Sequence, residues 1–326
     1  MGKIKRIISN PCEMVYKLFF KMRMSVPRWI GQQLKKNYML SAQELYSQKM
    51  IGFDSYDGSG QLTHPSFCIH NHKGYLAATP FPYSMSTYEN PCIYRNTGQN
   101  SFKMIAGPIE KPQRSGDDYL NDPCLISDDC LRLYYRHTFV QNGKEFKNLL
   151  MSSESIDGIL WSPPQVQIEE KGDTLVSPAI IKFKGDYYLF YVKLERNIYK
   201  ISFRESDSGQ KWNKEKQCSI ADLPSEYQIW HLDVDVFDNK IVSLFTTRTN
   251  SGRYKLFFAY LRMEDMTWIC EREIEITDID MSKIKIIYKS TFVNKTNILV
   301  AVRDFKNRWA IIKQDINWER IDEETV

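Results

Sequence analysis

Three carboxylic acids and two imidazoles stand where this chain could run acid–base chemistry. Asp122 lies in Asn121-Asp122-Pro123-Cys124, Glu89 in Tyr88-Glu89-Asn90-Pro91, and Asp233 in Trp230-His231-Leu232-Asp233. His64 opens His64-Pro65-Ser66, and His231 stands just ahead of Asp233. Acid–base hydrolysis needs one group to donate a proton and a second to activate water. Asp122, Glu89 and Asp233 are therefore the candidate catalytic residues. Tyr83, Tyr88 and Trp230 offer flat aromatic faces, and Arg136 offers a guanidinium that can take a carboxylate or phosphate. With His64, His231 and Ser177 they make up the candidate substrate-binding set. The chain has no phosphate-cradling glycine loop, no HExxH, no Gly-x-Ser-x-Gly elbow and no dinucleotide fingerprint. His70-Asn71-His72 precedes Lys73-Gly74, which makes it a hairpin turn before a metal pair.

What must position these residues is a repeat. At intervals of roughly 56 residues one pattern returns: a polar residue opens a short apolar strand, an aromatic-rich strand follows, and a third strand runs into a polar turn closed by an aromatic. The openings are His64-Pro65-Ser66, Asp122-Pro123-Cys124, Ser177-Pro178-Ala179, Leu232-Asp233-Val234 and Ser290-Thr291-Phe292. The closing aromatics are Phe102, Trp161, Trp212, Trp268 and Trp318. Repeats of three strands predict propeller blades, which bury both faces only by stacking around an axis. The expected fold is all-β, a five-bladed β-propeller with an N-terminal helical extension. The opening residues then converge on one mouth of the central channel. Pro123 is expected to hold Asp122 in an extended conformation. In Asp157-Gly158-Ile159-Leu160-Trp161 the Asp and Gly make a turn, and the Trp packs against the neighbouring blade.

The extension is placed at residues 1–59 and the propeller at 60–326, with the boundary in the Gly-rich loop 52–60. Pro11 marks a helix start, Pro27 interrupts, and Ser41-Ala42-Gln43-Glu44 has the form of a capping box. Residues 1–36 carry nine Lys and Arg against Glu13 alone, whereas the whole chain is only +4. The remainder is thus net acidic, and no nucleic-acid partner is expected. Met14, Val15, Leu18, Phe19 and Met22 alternate with cations, so residues 1–48 read as a basic amphipathic element suited to an anionic membrane surface. No apolar run is long enough to span a bilayer or form a signal core. A cytoplasmic protein, peripheral on the inner membrane face, is the expectation. The seven cysteines show no paired CxxC spacing, which points to reduced thiols.

Five blades with Asp-Gly-x-x-Trp turns and X-Pro strand openings resemble the arabinanase, levansucrase and invertase superfamily, and most closely glycoside hydrolase family 43. The resemblance covers roughly residues 60–320. It implies an Asp base from blade one, an orienting Asp from blade two and a Glu acid from blade three, meeting at the channel mouth. Here those places hold His64, Asp122 and Ser177, so Asp122 matches while Glu89 and Asp233 are left to supply acid and base. The implied function is action on a glycan at the axial mouth, in the synthesis or trimming of a surface polysaccharide. The alternative is a non-catalytic glycan-binding or assembly propeller. No cofactor is required by this reading, and a Ca²⁺ in the axial channel is possible.

Overall fold

The computed structural model describes residues 11–22, 26–27, 29–35, 49–98, 100–110 and 118–316. The capping box at 41–44 and the closing aromatic Trp318 lie outside them. The described chain is a ring of five blades, antiparallel throughout except where Ser219–Ala221 adds a parallel outer strand beside Thr267–Ile274 in blade four. Blade one comprises Leu62–His70, Lys73–Pro80, Cys92–Gly98 and Ser101–Ala106; blade two, Tyr119–Ser127, Leu131–Gln141, Lys144–Ser155 and Gln165–Lys171. Blade three comprises Val176–Phe183, Asp186–Glu195, Ile198–Ser206 and Lys216–Gln217; blade four, Gln228–Phe237, Lys240–Arg248, Tyr254–Arg262 and Thr267–Ile274. Blade five has Ile284–Asn294, Asn297–Asp304 and Trp309–Asp315, and takes its outer strand from Met50–Ile51. Met50 lies opposite Ile312 and Ile51 opposite Ile311, so a segment N-terminal to the 59/60 boundary closes the ring.

The core is a set of wedges between blades rather than one mass. Alternate residues of a strand point to opposite faces, and each middle strand feeds both neighbours. Leu189 and Tyr191 pack into the wedge with blade two, and Phe190 and Val192 into the wedge with blade four. This explains the unbroken apolar run Leu189-Phe190-Tyr191-Val192: a strand covered on both sides has no solvent face. The polar turns lock adjacent blades. Asp157 accepts from the backbone N–H of Ile159 and Leu160, Gly158 N–H donates to Ser155 Oγ, and Trp161 Nε1 donates to Gly158 O at 3.0 Å. Gly158 has φ +76°, and a Cβ there would stand 2.7 Å from the Tyr75 ring of blade one. Asn71 and His72, both at positive φ, form the two-residue turn expected at His70–Lys73.

The extension docks as helices. Helix Pro11–Lys21 begins at its proline, and residues 29–35 are also helical. Tyr16 is fully buried, its ring 5.5 Å from Tyr83 and 5.6 Å from Tyr88. Lys35 pairs with Asp54 at 2.6 Å. Met14, Leu18, Met22 and Trp29 remain exposed. No helix among the described residues is long and apolar enough to cross a membrane.

Candidate active site at the axial mouth

Each inner strand carries a bulge near its start. The register breaks between Thr63 and Ser66, Asn121 and Cys124, Val176 and Ala179, Ile229 and His231, and Ile287 and Ser290. In the first three blades the bulged residue precedes proline and is left-handed: φ is +51° at His64, +49° at Asp122 and +53° at Ser177. The extended conformation expected at Asp122 is therefore not adopted. Proline lacks an N–H to donate, so it fits where the ladder is already broken. Holding a non-glycine residue there costs on the order of 1–3 kcal/mol, a strain that accumulates at functional sites. The bulge turns its side chain towards the axis.

At the axis, His64 lies between two carboxyls. Its Nε2 is 3.3 Å from Asp122 Oδ1, and its Nδ1 is 3.7 Å from Glu89 Oε2 and 2.9 Å from Thr79 Oγ1. His231 Nδ1 reaches 3.7 Å from the same Asp122 oxygen, and Arg136 Nη1 is 3.6 Å from Asp122 Oδ2. Lys289 crosses the channel to donate to Pro123 O at 2.8 Å. All of these side chains are buried. Among the described residues, His64 Nε2, Glu89 Oε2, both Asp122 oxygens and both His231 nitrogens have no hydrogen-bond partner. Enclosed polar atoms usually find one, and each left without costs about 1–3 kcal/mol. Six such atoms in one cluster mark a place built for something other than stability.

The two carboxyls are driven apart. Burial raises the Glu89 carboxyl well above the usual range, and the neighbouring Asp122 charge raises it further. Burial also pushes Asp122 up, but the charges around it, of which Lys289 and Arg136 are permanent, win and hold it below the usual range. Burial lowers His64 to about 4 against the pull of Asp122, and His231 falls for the same reason. The cluster thus sets a carboxyl that holds its proton, Glu89, against one that gives it up readily, Asp122, beside two imidazoles biased towards the neutral form. Above it, Tyr288 and Trp230 are only partly buried. Tyr288 packs 4.2 Å from the His231 ring and 5.0 Å from that of His64.

The other sequence-derived candidates fall elsewhere. Asp233 is not in this cluster. The blade-four bulge at Trp230 brings His231 level with Asp122, and Asp233 sits two residues, about 6.6 Å, further along the strand. There it accepts from Phe292 N–H at 3.2 Å and lines a cavity of about 500 Å³ with Cys68, Cys124 and Asp235. Tyr83 and Tyr88 face Tyr16 of the extension and are buried beneath it, so they present no open stacking face. Ser177 Oγ donates to Leu232 O at 2.7 Å and accepts from Leu232 N–H, which ties blade three to blade four. Arg136 is already engaged by Asp122, Glu145 and Asp173. Lys289 and Tyr288 were missed in the sequence. A lysine ending the apolar run Ile286-Ile287-Tyr288-Lys289 was the available signal. Glu145 and Asp173 gave none.

Among the described residues no group of three or more His, Cys, Asp or Glu is placed to hold a metal ion. Ca²⁺ takes six to eight oxygen ligands, and two imidazoles with one carboxylate beside Arg136 and Lys289 do not fit it. No protein-family model matches the sequence, and no curated protein matches it. Solved structures do. An N-acetylgalactosamine deacetylase from F. plautii, in complex with blood group B trisaccharide, matches with TM-score 0.71 at 16% identity, over 84% of this chain and 95% of its own. An α-L-arabinofuranosidase from Lactobacillus brevis matches with TM-score 0.62 at 14% identity, over 85% and 94%. A family 43 endo-arabinanase from Bacillus licheniformis matches with TM-score 0.56 at 12% identity, over 83% and 97%. The five-bladed propeller expected from the sequence is the fold shared with these structures.

Proposed function

We propose that this protein is a carbohydrate-active hydrolase working at the axial mouth, with Glu89 as proton donor and His64, backed by Asp122, as the group that activates water. The observation that carries this is the opposite displacement of two enclosed carboxyls either side of one imidazole. Pairs of titratable groups pushed apart by their surroundings are how acid and base roles are divided. In this scheme Glu89 gives its proton to the departing oxygen, and His64 takes one from the attacking water. Asp122 stays ionised, orients the ring and stabilises the imidazolium. A proton then returns from His64 to Glu89, and the site is restored. No cofactor enters the scheme. Trp230 and Tyr288 would meet the sugar above the reacting bond.

The test is turnover and binding on a panel of glycans. Glu89→Gln and Asp122→Asn should each lower turnover by about 10²–10⁴ and leave binding within a few-fold. If neither wild type nor variant turns over any glycan while binding persists, the non-catalytic binding propeller takes its place. One observation favours acyl over glycosidic cleavage: the position where the family 43 resemblance implies a carboxylate base holds an imidazole, the group that most often activates water at a carbonyl. Release of acetate from an N-acetylated sugar separates the two chemistries.

The finer setting is a proposal of the same kind: a cytoplasmic protein on the inner membrane face that builds or trims a surface polysaccharide. Support comes from seven free thiols, which suit a reducing compartment, and from Met14 and Leu18 exposed on a docked helix, with Met22 exposed just past its end, within the basic N-terminal segment.

A further inference from the structure

Between blades four and five the mouth opens into a groove of about 610 Å³, lined by Arg253, Lys255, Lys285 and Arg303 together with Tyr227 and Tyr254. Among the described residues no Asp or Glu lines it. The volume is in the range of small-ligand sites. Lys255 is neutralised by Glu273 on the next strand. Arg303 is different. Its guanidinium lies 5.5 Å over the Trp309 ring and donates to Ser84 Oγ at 2.9 Å, while its Nε has no partner among the described residues. Among the described residues no carboxylate stands within ion-pair distance of Arg303, Arg253 or Lys285. Asp304, next along from Arg303, is engaged by Arg308. Burial accordingly lowers the pKa of Arg303, where Arg136, held by three carboxylates, is raised.

The groove and the axial cluster share one face. Tyr254 packs 5.7 Å from Trp230, and Trp309 beneath Arg303 packs 5.0 Å from Tyr288, which covers His231. A half-buried guanidinium without a counter-charge, at the end of an aromatic path to the reacting groups, is a receptor for an anion. We propose that the glycan taken at this mouth is anionic, and that Arg303, with Arg253 and Lys285, holds its carboxylate or phosphate in the groove between blades four and five. This rests on the axial mouth being a glycan site. The sequence pointed to Arg136 for such a role, but its charge is already spent on Asp122, Glu145 and Asp173.

The experiment is calorimetric binding to the full chain carrying Glu89→Gln, so that turnover does not enter. The probes are a hexuronate tetrasaccharide, the same tetrasaccharide with its carboxyls reduced to alcohols, and a ribitol phosphate oligomer. At least one anionic chain should bind about tenfold or more tightly than the reduced one. The arm that does so tells carboxylate from phosphate. Arg303→Ala should remove the preference, and Arg253→Glu with Lys285→Glu should reverse or abolish it. The latter two positions are exposed, so that variant stays informative if loss of the Trp309 contact unfolds Arg303→Ala. Equal affinity for charged and reduced chains overturns the proposal, as does a preference that survives both variants. An Arg303-dependent preference in a wild-type protein that hydrolyses no glycan counts against the catalytic scheme and leaves the groove standing.

Discussion

Asp122 and Glu89 owe their opposite protonation to what lies beside them. Asp122 has Arg136, Lys289 and two imidazoles, while Glu89 has the Asp122 charge and burial. The proposed active form therefore needs Glu89 protonated. A pH–rate profile should rise through about pH 4 as His64 loses its proton and fall again at higher pH as the raised Glu89 carboxyl ionises. Replacing Glu89 by Gln should cost about 10²–10⁴ in kcat/KM and erase the falling limb. Asp233 makes a separate, thermodynamic prediction. Burial raises its carboxyl to about 7, against Lys289 and the Phe292 N–H. Its folded pKa lies above its unfolded one, so the folded state binds the proton more tightly, and stability falls as pH rises between about 4 and 7. Asp233→Asn should therefore leave stability unchanged near pH 4 and raise it by about 2–4 kcal/mol at pH 8, read as the urea midpoint at each pH. No rise at pH 8 would show Asp233 to be ionised at no net cost. These environments could not be read from the sequence. The acids were visible, but the partners that split them come from blades one, two, four and five.

At the scale of elements, turns and helices were legible because local chemistry determines them. Asp157-Gly158 with Trp161 forms the expected turn, and Pro11 starts a helix. Gly158 goes further, since its φ of +76° and its approach to Tyr75 both exclude a side chain. Gly158→Ala should lower stability by about 1–3 kcal/mol in chemical denaturation, whereas a similar change at Gly143, also at positive φ but with open space around it, should cost less. The docked helix predicts a surface property. Its exposed Met14 and Leu18, with Met22 just past its end, should carry the protein onto phosphatidylglycerol vesicles and not onto phosphatidylcholine, and Leu18→Glu should reduce co-sedimentation several-fold with the melting temperature unchanged. Equal binding to both vesicle types would sink that reading. The bulges were not legible. An X-Pro pair reads as extended, yet His64, Asp122 and Ser177 are left-handed. Pairing with the second strand of each blade, not the local dipeptide, sets that conformation.

At the scale of the whole molecule, stability depends on closing a ring whose last blade borrows Met50–Ile51 from the start of the described propeller. A chain starting at residue 49 should fold and unfold cooperatively, though it loses the packing of Tyr16 on Tyr83 and Tyr88 and the Lys35–Asp54 pair. A chain starting at residue 53 should expose the edge of Trp309–Asp315 and aggregate or melt well below it. Similar melting temperatures for the two would show that the strand pair does not latch the ring. The sequence by itself determined the number of blades, the strand and turn within each, and the candidacy of His64, Glu89, Asp122 and His231, because a repeat of apolar strands closed by polar turns is local information. Only the tertiary structure decided which candidates meet. A single-residue bulge at Trp230 brings His231 level with Asp122 and carries Asp233 towards the far end of the channel. Packing of the extension takes Tyr83 and Tyr88 away from the mouth. Three carboxylates engage Arg136, while among the described residues none pairs with Arg303. Each outcome is a matter of distance between residues far apart in sequence, and no local pattern encodes it.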